Sequence, residues 1–158
     1  MMDFEFQPTW ECVTDTVMGG VSAGTVLSAE DGGQGSTRLK GRVSLANNGG
    51  FVQMATDIAE GAVFDASAYA GVAIEVQGNC ENYEIRLRTL DLVRPWQSYR
   101  AAFWAGPVWT MIELPFTVFA PNKTEVPFTP ARLRRLGVVA YGRAFEADVS
   151  VRRIGFYR

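Results

Sequence analysis

The sequence predicts an antiparallel all-β fold, a sandwich or barrel, and three observations carry that prediction. Apolar residues recur at every second position, the period of a pleated strand with one buried face. The alternating runs are short and closely spaced, with Gly, Asn, Asp or Pro between them, which leaves no room for the crossover helices of parallel sheets. No long pattern with a period of three to four residues competes with them.

Taken in order, the early strand candidates are residues 10–13, 23–28, 37–45 and 51–57. Val72-Ala73-Ile74-Glu75-Val76-Gln77 alternates next, and in Tyr83 to Thr89 the residues Tyr83, Ile85 and Leu87 point one way while Glu84, Arg86 and Arg88 point the other. Gly78-Asn79 opens a short polar connection of hairpin type, so these two strands are expected to pair. Residues 97–104, 108–114, 134–141 and 148–157 complete the set. Pro115 to Phe119 reads as one short turn, and Pro121, Pro127 and Pro130 mark residues 120–131 as a loop. With no repeat, linker or low-complexity tail, residues 1–158 read as one domain, long enough to bury roughly 70% of its extended-chain surface.

Composition narrows function. Hydrophobic residues make up 47% and charged residues 20%, with a formal net charge of −2, so the chain is globular and lacks the positive field that nucleic acid demands. There is no histidine. That removes His-based acid–base catalysis, the Ser-His and Cys-His nucleophiles and His-containing zinc sites, and the expectation is a domain that is not an enzyme and carries no cofactor. Cys12 and Cys80 fit no metal or secreted-disulfide spacing and read as reduced, buried thiols. Asp15, Asp57, Asp65 and Asp148 offer oxygen atoms without the regular spacing of a calcium loop, so no metal site is expected. The Met-Met-Asp-Phe-Glu-Phe start lacks a basic stretch followed by an apolar run, and no apolar segment reaches about 18 residues; a cytoplasmic chain without a membrane span is the expectation.

Alternation directs Glu75, Arg86, Arg88 and Arg100 away from the core, with Trp96 and Trp104 nearby as stacking surfaces, and these six are the candidate binding residues. The same pattern also describes a solvated face of Arg–Glu pairs. Trp10 and Trp109 sit in apolar strand patterns and are expected in the core. Two further segments, Asp15-Thr16-Val17-Met18-Gly19-Gly20-Val21-Ser22 and Asn47-Asn48-Gly49-Gly50-Phe51, read as structural turns, with Phe51 re-entering the core. Neither is a phosphate loop, because no Gly-Lys-Ser/Thr and no helix follows.

Those two segments, with Gly41-Arg42-Val43-Ser44-Leu45 leading into the second, resemble the complex I intermediate-associated protein 30 family. Later elements agree in order: Asp65 to Gly71 before a strand, Tyr83 to Arg88 as a Tyr-x-hydrophobic-x-hydrophobic-Arg strand, Trp109 to Phe119 as Trp-x-x-x-x-Leu-Pro-Phe-x-x-Phe, and a closing Ile154-Gly155-Phe156-Tyr157. The family residues carried over are Asp15, Met18, Gly19, Gly20, Ser22, Asn48, Gly49, Gly50 and Phe51. The resemblance implies a galactose-binding-domain-like jelly roll, similar in architecture to carbohydrate-binding modules. For function it implies a non-catalytic assembly or chaperone-like factor with a protein partner. The alternative is a carbohydrate-binding module that recognises an oligosaccharide on its sheet face.

Overall fold

A computed structural model describes residues 2–31, 34–48 and 50–158. Gly49 lies outside the described residues, as do the side chains of Met18 and Asn48. The strands are β1 (Phe4–Glu5), β2 (Glu11–Thr14), β3 (Ala23–Asp31), β4 (Gln34–Val43), β5 (Phe51–Asp57), β6 (Gly71–Gly78), β7 (Glu81–Thr89), β8 (Ser98–Ala105), β9 (Thr110–Pro115), β10 (Ala120–Asn122), β11 (Leu133–Tyr141) and β12 (Phe145–Tyr157). Two antiparallel sheets form a jelly-roll sandwich. The first runs β3-β4-β12-β6-β9, with β1 also paired to β12, and the second runs β10-β8-β7-β11-β5-β2. No helix among the described residues is long and apolar enough to cross a membrane.

The core is the set of alternate residues from both sheets. Leu39, Val72, Ile74, Val149, Ile154 and Phe156 on one side meet Val52, Met54, Ile85, Leu87, Leu136 and Val138 on the other, each essentially without exposure. Removing such an aliphatic side chain to Ala costs about 2–5 kcal/mol. The expected pairing of 72–77 with 83–89 does not occur. β6 lies between β12 and β9 in the first sheet, whereas β7 lies between β8 and β11 in the second. Gly78-Asn79-Cys80 carries the chain across the sandwich: a Cβ at Gly78 would overlap Ala105, and Cys80 takes a positive φ of 61°. Tyr83 ties the crossing down, its hydroxyl donating to Asn79 and accepting the Asp148 amide of β12 at 2.9 Å.

Three further expectations are corrected. Residues 120–122 form β10, an edge strand in which Pro121 needs no ladder hydrogen bond. Cys12 and Cys80 are free but exposed, not buried. Phe51 stands opposite Tyr141 on the outer side of β5, and it is Val52 that enters the core.

Two strands change parity midway. In β12 the inward set Ala147, Val149, Val151 gives way to Ile154 and Phe156, because a bulge between Val151 and Arg153 adds one residue. In β11 the register shifts likewise between Leu133 and Arg135. Each bulge therefore turns two consecutive arginines outward, Arg152-Arg153 on the first sheet and Arg134-Arg135 on the second.

Candidate functional site

The two glycine-bearing segments meet around one carboxylate. Thr14 caps a short turn over Asp15–Met18, Gly19 closes it at φ 86°, and Asp15 is fully buried beneath. Its Oδ1 accepts the Ser22 amide at 2.9 Å, and its Oδ2 accepts the Ser22 hydroxyl at 2.6 Å together with the amides of Gly50 and Phe51. The Ser22 oxygen in turn accepts the Ser44 amide at 2.8 Å. Gly20 is obligatory, because a Cβ there would fall on the Asp15 carboxyl group. Burial alone would raise the Asp15 pKa, but these hydrogen bonds outweigh it and hold the carboxyl below its ordinary value. Such a carboxylate is a clamp, ionised at neutral pH, between the chain entering β3 and the chain entering β5, and its oxygens face inward. This junction organises the fold; its carboxylate is not presented to a ligand.

That buried Asp15, with Gly20, Ser22 and Gly50 on it, places the two motif segments in one junction, and the family profile described as complex I intermediate-associated protein 30 matches residues 2–149. The chain belongs to this family. No curated protein matches it significantly. Among solved structures it is similar to the family 11 carbohydrate-binding module of Clostridium thermocellum in complex with a β-1,3-1,4-mixed-linked tetrasaccharide, with TM-score 0.76, 12% identity, and coverage of 99% of this chain and 93% of that one. It is also similar to a family 30 carbohydrate-binding module, with TM-score 0.68, 14% identity, and coverage of 99% and 87%. At such identities the likeness establishes the sandwich fold this family member shares with those modules, and nothing of ligand.

The predicted binding residues divide. Arg86, Arg88, Arg100 and Trp104 share the outer face of the second sheet, because β7 and β8 pair with Arg86 opposite Arg100. Glu75 does not join them. It lies on the outer face of the first sheet, gripped by both Nε and Nη2 of Arg152, whose guanidinium also stacks 4.4 Å over Trp109. Trp109 is thus a half-buried outer-face residue, not a core one, whereas Trp10 does pack against the core. Trp96 is exposed in the loop after β7, beneath Arg94. Arg88 holds that loop by donating to the carbonyls of Gln97 and Arg94.

Around Arg86 the second face is well built. Glu84 accepts from Arg86 at 2.8 Å and lies 3.9 Å from Arg100, while the guanidinium groups of Arg86 and Arg100 stand 4.4 and 5.6 Å from the Tyr141 ring. Sequence reasoning missed Tyr141, Arg134 and Arg135, which β11 inserts beside β7. Arg135 bridges to Asp57 and Glu11. The aspartates considered for calcium are all engaged elsewhere: Asp57 with Arg135, Asp148 with Arg38, Asp65 with Ser67, and Asp15 in its junction.

The two outer faces differ in charge balance. On the first, the strands present Arg38, Lys40, Arg42, Arg152 and Arg153 with Glu5, Glu75, Glu113, Glu146 and Asp148, as many acids as bases among described side chains. On the second, Arg86, Arg88, Arg100, Arg134 and Arg135 meet only Glu11, Asp57 and Glu84.

Proposed function

We propose that this domain is a non-catalytic protein-binding module that holds an incomplete protein assembly on the outer face of the second sheet. Membership of the complex I intermediate-associated protein 30 family is the observation that carries this reading. Chemistry supports this face: Arg86 and Arg100 stacked on Tyr141, and Trp104, 54% exposed on the same face, are the arginine and aromatic types that dominate protein interfaces.

Affinity capture with the purified domain, against an Arg86→Ala/Arg100→Ala double variant of matching fold, tests it. The expected result is a protein retained by the wild type and lost from the variant. Equal retention by both would overturn the placement, and retention by neither would overturn the reading.

A second reading, oligosaccharide binding on this same face, is favoured by the exposed Trp104 ring opposite Asn82, because a flat ring with a flanking amide suits a sugar. Titration with a mixed-linked β-glucan tetrasaccharide, followed by tryptophan fluorescence, separates the two: saturable quenching absent from Trp104→Ala supports the glycan.

A further inference from the structure

We propose that the partner segment lying on the second face is acidic, with one of its carboxylates seated on Arg134. This deepens the protein-binding reading and rests on it.

Three observations on the face point this way. The first is charge balance: the strands of the second sheet carry two more bases than acids outward, in a chain whose net charge is −2. The excess belongs to this face and not to the protein, since among described side chains the opposite face carries as many acids as bases. The second is pairing. Each arginine of the β12 bulge has its carboxylate, Arg152 on Glu75 and Arg153 on Glu5, and in the β11 bulge Arg135 takes both Asp57 and Glu11. Arg134 is the exception: among the described residues it pairs with no carboxylate, and its Nε is withdrawn from solvent without an acceptor. A guanidinium presents five donors, and with Nε covered it is the terminal Nη groups of Arg134, bonded to no other described residue, that are left to meet a carboxylate. The third is that its neighbour Arg88 also lacks a carboxylate and spends its donors on loop carbonyls. Burial, then the like charges of Arg135 and Arg134, depress the Arg88 pKa, so the local field is positive.

An acidic peptide fits the charge and the open donors of this face. Its carboxylate takes the fork of the two terminal nitrogens of Arg134, and its charge offsets the mutual repulsion of Arg88, Arg134 and Arg135. The interaction is charge-assisted and partly shielded, so it is salt-sensitive yet specific.

The test uses the whole chain and a fluorescently labelled hexaglutamate peptide, read by anisotropy at two salt concentrations. Wild type is expected to bind hexaglutamate and to ignore a neutral hexaglutamine. Arg134→Gln is expected to weaken binding about tenfold, with Arg134→Lys intermediate because charge survives but the fork does not. Lys40→Gln removes the same charge from the opposite face and is expected to change affinity less than twofold. Equal effects of Arg134→Gln and Lys40→Gln, or no binding of hexaglutamate by the folded wild type, would overturn the proposal. So would retention of polygalacturonate in an Arg134-dependent way while hexaglutamate is ignored, which would assign the site to an acidic glycan. If captured protein depends on Arg86 and Arg100 but not on Arg134, the acidic-segment inference fails while the protein-binding reading stands.

Discussion

Leu133-Arg134-Arg135-Leu136-Gly137 in β11 and Val151-Arg152-Arg153-Ile154-Gly155 in β12 follow the same pattern, and each makes a one-residue bulge. They stand on opposite faces of the sandwich and end in opposite conditions. At β12 both guanidinium groups are matched inside the fold, with the Glu75–Arg152 pair no more than one-fifth exposed. At β11 one arginine takes two carboxylates and the other, among the described residues, takes none. Identical local chemistry therefore serves as a structural clasp in one place and as a surplus in the other. The difference comes wholly from which acids the neighbouring strands deliver.

Both bulges depend on the intact sandwich, and the largest effect comes from loosening the junction that holds it. Asp15→Ala leaves the amides of Ser22, Gly50 and Phe51 and the Ser22 hydroxyl without their acceptor, and should cost about 3 kcal/mol or more by denaturant unfolding. Because its folded pKa lies below the unfolded one, the Asp15 contribution is fully present above the ordinary aspartate value of about 4 and is lost as pH falls through the folded value. Acid-unfolding curves of Asp15→Asn should accordingly lose part of the wild-type slope below that pH.

Arg152→Met and Arg134→Met come next and sharpen the contrast directly. The first strands Glu75 in a largely covered site and should cost about 2 kcal/mol; the second relieves an unmatched donor and should be neutral or slightly stabilising. Equal losses in the two variants would erase the distinction between the bulges. Glu84→Gln should move stability by less than about 1 kcal/mol while tightening hexaglutamate binding, since it frees Arg86 and Arg100 from their acid. Smallest of all, Arg42→Gln should fall within about 0.5 kcal/mol of wild type, because both members of the Arg42–Glu146 pair are mostly exposed.

Strand positions were legible because alternation is a local property of the chain, and Tyr83 to Thr89 shows it without interruption. Which strand sits beside which was not. Gly78-Asn79 has the composition of a hairpin turn, and only the distant partners of β6 and β7 decide that the chain crosses between sheets there. The same limit applies to the site. Alternation placed Arg86, Arg88, Arg100 and Trp104 outward, but Tyr141 and Arg134 join them through pairing with a strand some fifty residues later. A local signal for the bulges did exist: two adjacent charges between apolar residues, at 134–135 and at 152–153, break a period of two and call for one extra residue. For Asp15 the sequence showed a turn; the burial that makes it an anchor depends on Ser22 and Gly50 converging from two loops.

One feature at the rim bears on how the domain responds to tension. β1 runs antiparallel to the last residues of β12, with Phe4 opposite Phe156, and Asp3 exchanges hydrogen bonds with Phe156 and Arg158. The described chain thus enters and leaves at a single point. A force drawn on Asp3 and Arg158 loads the ladder one rung at a time, as a zipper is opened, and not all rungs together in shear. Tethered by these ends, the sandwich should peel from β1 at low force.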